Sequence, residues 1–191
     1  MMQKFIKKYF KDVKLLIDDN DIDTLIKISR IFKACSKKGK KIIFCGNGGS
    51  AATSSHVAVD FTKNAKIRSI NFNEADLITC LSNDYGYHNW LSSAIDLYAD
   101  KGDVMVLISV SGESENLVNA LKFANKKKLK TICFTGVNKN NKLNRLNKLN
   151  KNSLNIFIDS KSYNQVEIVH HIYLLSLVDL CIGKTIYSPQ G

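Results

Sequence analysis

The chain has 191 residues, of which 45% are hydrophobic and 24% are charged, a composition typical of a soluble globular domain. No apolar run reaches the ~18 residues that span a bilayer. The basic start MMQKFIKKYFKDVK has neither a continuous apolar segment nor a small-residue cleavage site, so we expect neither a membrane protein nor a secretory signal.

The cysteines and the net charge indicate the cellular compartment and the kind of ligand. Five cysteines are scattered without a CxxC pair, which is typical of reduced thiols in a cytoplasmic protein. The formal net charge is +11, and basic domains often bind nucleic acid. Here the lysines are spread along the chain, and no aromatic residue interleaves with the basic segment 138–152. We therefore interpret the charge as a solvated surface that attracts an anionic metabolite, rather than as a nucleic-acid site.

Helices and strands alternate along the chain. Two helices come first, and the first of them places Phe5, Ile6 and Phe10 near helical spacing. Further helices are predicted over Ser50–Lys63, over Ser114–Lys127, within the polar segment 138–152, and from Tyr163 to Cys181. The predicted strands are Lys41–Cys45, Ser69–Phe72, Val104–Val110, Thr131–Thr135 and Leu154–Ile158.

This alternation predicts a single domain over residues 1–191, a three-layer α/β/α sandwich with a five-stranded parallel sheet of the flavodoxin-like type. Near-continuous apolar strands are typical of parallel strands that helices cover on both faces. In such folds ligands bind beyond the carboxyl ends of the strands, where loops lead into helices.

Two of those loops are rich in glycine and small polar residues. The first strand is followed by Gly46-Asn47-Gly48-Gly49-Ser50, and the third ends in Ser109-Val110-Ser111-Gly112-Glu113-Ser114. Glycines let a ligand approach the backbone, and free amides at a helix start attract anions. Together with the hydroxyls, they favour a phosphate monoester. Neither loop matches GxGxxG or GxxxxGK[ST], so we expect no nucleotide cofactor.

The motifs GNGGSAA at 46–52, SNDYG at 82–86 and ISVSGES at 108–114, with a strand ending in Thr135-Gly136, resemble those of the sugar isomerase (SIS) domain. Within that superfamily the chain is similar to the phosphoheptose isomerases over nearly its whole length. The resemblance implies an aldose–ketose isomerase that converts sedoheptulose 7-phosphate into D-glycero-D-manno-heptose 7-phosphate. It also implies a cytoplasmic homotetramer whose product feeds lipopolysaccharide or capsule synthesis.

The resemblance also assigns substrate-binding roles. The phosphate would be held by the second loop, the sugar phosphate would also contact the first loop, and Asp84 in the SNDYG loop would lie beside the sugar chain. The substrate-binding residues are then Asn47, Gly48, Gly49, Ser50, Asp84, Ser109, Val110, Ser111, Ser114 and Glu167.

The catalytic residues of the family are only partly present. Asp60, one turn after His56, stands where the family has a glutamate. On the last helix, aligning Glu167 with the family glutamine puts Leu175 where the catalytic histidine is expected. An alternative alignment uses Gln165 as the glutamine and puts Tyr173 at that position.

We predict Asp60 as the base of an enediol route, with His171 or His170 as the second acid/base group. The resemblance also implies a zinc site, for which the candidate ligands are His56, Asp60, Glu167 and His171.

Two other functions stay open. The leucine at position 175 favours a catalytically impaired SIS protein that acts as a phosphosugar sensor or protein-assembly partner. The aspartate at position 60 is also compatible with an isomerase for a different sugar phosphate.

Overall fold

The computed structural model describes residues 1–17, 21–151 and 153–186. Within these residues, helices and strands alternate after two leading helices, as predicted. The elements are α1 (Met2–Leu16), α2 (Ile22–Lys37), β1 (Ile42–Gly46), α3 (Gly49–Lys63), β2 (Ser69–Asn71), α4 (Ala75–Tyr85), α5 (Trp90–Tyr98), β3 (Val104–Ser109), α6 (Glu115–Lys126), β4 (Lys130–Gly136), α7 (Lys142–Lys148), β5 (Leu154–Ile158) and α8 (Tyr163–Ile182).

The sheet is parallel throughout and has the order β2-β1-β3-β4-β5. This is the flavodoxin-like order, so the predicted fold class is confirmed. Strands β1 and β3 are neighbours in the middle of the sheet, and Gly46 at the end of β1 pairs with Ile108 near the end of β3. Both loops singled out by the sequence therefore leave the sheet at the same edge.

Alternate residues of each central strand enter two separate cores. Ile42 and Phe44 pack with α2, α3 and α8 on one face, whereas Ile43 and Cys45 pack with α4, α5 and α6 on the other. All five residues of β1 are buried, which explains why the strand reads as a continuous apolar run. Two helical layers thus enclose the sheet.

The asparagine-rich segment contains the short predicted helix, α7, and has a structural role. Its buried face carries two asparagines beside an apolar residue: Asn144 and Asn147 are buried together with Leu143. Thr135 Oγ1 donates to Asn144 Oδ1 at 3.0 Å, and Thr131 Oγ1 donates to Asn147 Oδ1 at 2.6 Å. These side chains satisfy one another's hydrogen-bonding groups between α7 and β4. The buried contacts account for part of the high asparagine content of this segment.

One predicted loop is wrong. The residues Ser82 to Tyr85 of SNDYG form the last turn of α4, and Gly86, with a positive φ of 79°, follows the end of the helix. Residue types that favour turns also occur in the last turn of a helix that is followed by glycine, and here α4 continues up to Gly86.

Among the described helices, α8 alone has the length and apolar composition to cross a membrane. In this structure it is a packing helix, because Val166, Val169, Leu174 and Leu177 are fully buried in the core that also contains β4 and β5. These contacts explain the apolar residues on the buried side of the helix.

Candidate active site

The two polar loops meet in one cavity at the carboxyl edge of the sheet. The cavity lies where β1 and β3 lead into helices on opposite faces, the usual ligand position in this topology. Tyr163 and Glu167 of α8 also line it. From the loops, the lining residues are Asn47, Ser50, Ser109, Val110, Ser111 and Ser114.

The second loop presents hydroxyl donors. Ser109 Oγ accepts the Gly112 amide at 3.0 Å, and Ser111 Oγ accepts the Glu113 amide at 3.3 Å. Because each hydroxyl uses a lone pair for this bond, its own proton stays available for an anion in the cavity. Ser114 begins α6, whose first amides add to the positive potential. Val110 is buried and also lines the cavity.

The first loop needs its glycines for two different reasons. Gly48 has a φ of 55°, a conformation that favours glycine. At Gly49 a Cβ atom would lie 2.7 Å from the Glu167 carboxylate oxygens, so glycine leaves room for that side chain. The loop thus brings the start of α3 against α8.

Asn47 is held in place by residues that no motif indicated. Its side-chain amide forms a reciprocal pair with Asn116, with N–O distances of 2.9 and 3.0 Å, and Tyr87 Oη donates to Asn47 Oδ1 at 3.4 Å. Asn116 is buried on α6. The pair therefore joins the first loop to the start of α6, and sequence spacing alone gave no sign of it.

A second cavity adjoins the first, and Glu167 lines both. Thr53, His56, His171 and Leu175 contribute to its walls. His171 Nε2 lies 3.1 Å from His56 Nδ1, and His171 Nδ1 lies 3.3 Å from Thr53 Oγ1. The predicted partners His56 and His171 are thus in contact. Leu175 lines the cavity at the position where the family resemblance predicts a histidine.

Asp60 lies behind His56 and lines neither of these two cavities. Its Oδ2 is 3.3 Å from His56 Nε2, and its Oδ1 accepts the Asn64 side-chain amide at 3.2 Å. The carboxylate therefore orients His56. Because Asp60 lines neither cavity, its position does not suit the role of base predicted for it.

Partial burial lowers the pKa of His171, and the neighbouring His56 lowers it further, while Asp60 acts in the opposite direction. The imidazole is therefore neutral near pH 7, a state that can both accept and donate a proton.

His170 is a core residue. It is 1% exposed, its ring packs against Phe134, and its Nε2 lies 3.2 Å from the Thr135 carbonyl oxygen. Burial lowers its pKa to about 4. The suggestion that His170 serves as an acid/base group therefore does not fit the structure, because its ring faces the sheet and not the cavities.

The buried His170 predicts a loss of stability in acid. Its folded-state pKa of about 4 lies below the ordinary value of 6.5, so the unfolded chain binds the proton first. The contribution of the neutral His170 to the free energy of unfolding, about 3 kcal/mol in total, is fully present above pH 6.5 and is lost as the pH falls toward 4. Urea unfolding between pH 7 and pH 4.5 measures it. His170→Gln should flatten the profile and His88→Gln, at an exposed site, should not; equal profiles for all three proteins would contradict the assignment.

Asp84 does not line either cavity. Its side chain is exposed at the end of α4, where Oδ1 accepts the Asn83 amide at 3.0 Å. The structure therefore places Asp84 away from both cavities, and its contact with the sugar chain stays a prediction.

The four predicted zinc ligands do not converge. His56 and His171 turn their nitrogens toward each other, Asp60 contacts the far nitrogen of His56, and Glu167 lies against Gly49. Across the described residues, no three histidine, cysteine or carboxylate side chains form a cluster that could hold a metal ion. The donor set does not fit zinc in this arrangement.

Comparison with known proteins agrees with the fold and the loops. A sequence profile of the SIS domain matches residues 8–136, which include both loops but not α8. The phosphoheptose isomerase of Hamiltonella defensa is 33% identical over 128 residues, covering 64% of this chain and 62% of that protein, so the match spans less than two thirds of this relative. The phosphoheptose isomerase of Clostridium acetobutylicum is 34% identical over 147 residues, covering 71% and 74%.

A solved structure extends the likeness to the whole fold. The phosphoheptose isomerase of Neisseria gonorrhoeae superposes with a TM-score of 0.86 at 24% identity, covering 95% of this chain and 99% of that one. At that identity the likeness concerns the fold, α8 included.

Proposed function

This chain belongs to the SIS domain family, and we propose that it is a phosphosugar isomerase that converts sedoheptulose 7-phosphate into D-glycero-D-manno-heptose 7-phosphate. The observation that carries the proposal is the single cavity that the loops after β1 and β3 form together. Its hydroxyls and helix-start amides suit a phosphate monoester, and acid/base side chains lie in the adjoining cavity.

The geometry suggests how the substrate would lie. With the phosphate among Ser109, Ser111 and Ser114, the sugar chain would pass Glu167 into the second cavity and bring its first carbons to His171. Isomerisation moves one proton from C1 to C2 and one from O1 to O2 through an enediol. Both transfers need a positioned acid/base group, and the neutral His171 imidazole can serve the two oxygens.

The direct test is incubation of the purified protein with sedoheptulose 7-phosphate. We expect formation of the aldose product, detected by chromatography and mass spectrometry. Fructose 6-phosphate serves as a shorter substrate for comparison. No aldose product from the heptulose would contradict the proposal.

A phosphosugar sensor is the second candidate, and Leu175 favours it. This side chain lines the second cavity and cannot transfer a proton. A sensor would show a thermal shift with sedoheptulose 7-phosphate in the absence of turnover. A protein-assembly partner would show neither a thermal shift with this sugar phosphate nor turnover of it.

We propose that the chain forms a homotetramer. On α1, Phe5, Phe10 and Leu15 are 65–68% exposed, and Val59 and Ile172 add exposed apolar surface on α3 and α8. Such surface is typical of subunit interfaces. Light scattering should give four times the mass of one chain, and a monomer would contradict the proposal.

We propose that the reaction proceeds without zinc, because the candidate ligands are engaged with other groups. Metal analysis of active protein should give far less than one zinc per chain. Activity that is lost with a chelator and restored by zinc would contradict this.

We propose a cytoplasmic role in supplying heptose for lipopolysaccharide or capsule. Cells that lack the protein should contain less heptose in their surface polysaccharide, and an unchanged content would contradict the assignment.

A further inference from the structure

We propose that Glu167 is the catalytic carboxylate that removes and returns the carbon-bound proton, and that Asp60 is a positioning residue for His56. The inference rests on the proposed isomerase activity. It reassigns the base from α3, where the sequence motif suggested it, to α8.

Glu167 occupies the point that a substrate spanning both cavities must pass. It is the one residue of α8 that lines both of them. Its carboxylate lies over Gly49, the first residue of α3, where helix-start amides favour a negative charge. Within the described part of the chain, no hydrogen bond or ion pair engages its oxygens, so they are available to a ligand.

Asp60 differs in each of these respects. Both of its oxygens already have partners, His56 Nε2 at 3.3 Å and Asn64 Nδ2 at 3.2 Å. His56 lies between Asp60 and His171, since its Nδ1 is 3.1 Å from His171 Nε2. A proton on a substrate carbon in the second cavity would meet the imidazoles before it reached Asp60.

The second acid/base group stands one turn beyond Glu167. His171 follows at i+4, so both side chains project from one face of α8, and both line the second cavity. His56 and Thr53 hold the two ring nitrogens of His171. One helix thus presents a carboxylate and an imidazole to neighbouring substrate atoms.

The proton transfers balance with these two groups. His171 Nε2 first exchanges its contact with His56 Nδ1 for one with O2 of the substrate. The Glu167 carboxylate then takes the proton from C1 while His171 donates its Nε2 proton to O2, which gives the enediol, a neutral carboxylic acid and an imidazolate. His171 then accepts the proton of O1, and Glu167 returns its proton to C2. The aldose forms, and both side chains regain their starting states.

The test compares four variants with the wild type in two assays: kcat for sedoheptulose 7-phosphate, and incorporation of deuterium from D2O into the bound sugar. Glu167→Gln should lower both by about 10³-fold, since general acid–base catalysis contributes about 10² to 10⁴. Its phosphosugar thermal shift should persist. Glu167→Asp should retain part of the rate, reduced about 10²-fold by a displacement near 1 Å.

Asp60→Asn should lower kcat no more than about tenfold, with deuterium exchange retained, because Asp60 acts through His56. Asp179→Asn makes the same charge change elsewhere on α8, with no expected effect. The inference is overturned if Glu167→Gln keeps wild-type exchange, or if Asp60→Asn loses as much as Glu167→Gln. A wild type that binds the sugar phosphate without turnover or exchange would instead contradict the proposed function itself.

Discussion

Replacing Ser111 and Ser114 by alanine is expected to lower kcat/KM for sedoheptulose 7-phosphate by about 10²- to 10⁴-fold. Both residues line the cavity between the two loops. A hydrogen bond to a charged group contributes about 1.5–3 kcal/mol, so two lost bonds remove about 3–6 kcal/mol of transition-state stabilisation.

The effect should appear mainly in KM, because in the proposed binding mode the phosphate would lie away from the reacting carbons and would be bound equally in the ground state. Steady-state kinetics and phosphosugar thermal shifts measure it. Ser36→Ala, on α2, is the matched control. An unchanged KM in the double variant would show that the phosphate binds elsewhere.

Replacing Asp103 by alanine is expected to destabilise the protein by about 3–5 kcal/mol, the usual cost of breaking a buried ion pair. Asp103 is fully buried and lies 2.7 Å from Lys41 Nζ, whose side chain is 10% exposed. It also accepts the backbone amides of Lys41 at 3.0 Å and Asp100 at 2.8 Å. The substitution leaves an ammonium and two amides without this partner at the amino edge of the sheet.

Thermal unfolding should show a fall in Tm of roughly 10 °C, given about 2–4 °C per kcal/mol for a chain of this size. Asp100→Ala removes the exposed partner of the same lysine and should have only a small effect. An equal fall in Tm for Asp103→Ala and Asp100→Ala would show that the buried carboxylate contributes no more to stability than the exposed one.

The sheet and its loops were predictable because their signals are local. Each strand was placed to within about one residue, since runs such as Val104–Ser109 are buried on both faces and bounded by polar turns. The serine and glycine motifs follow directly after two of these strands. Once the strands are parallel neighbours, the loops must share one edge.

The sequence predicted which residues are candidates for acid/base chemistry, but not which of them face the cavities. Spacing along α3 correctly paired His56 with Asp60, and spacing along α8 gave Glu167 and His171. Neither spacing states how the two helices face each other. The buried position of His170, one residue from His171, depends on which side of α8 meets β4.

The sequence by itself therefore determined the α/β fold, the edge of the sheet that carries the candidate site and the glycine and hydroxyl groups of its loops, because these depend on short-range patterns. Only the tertiary structure decided which carboxylate reaches the cavity, that Asn116 and Tyr87 hold Asn47, and that the candidate metal ligands engage other partners. The physical reason is that these contacts join residues more than 30 positions apart, and the packing of α3, α6 and α8 on the sheet sets their distances.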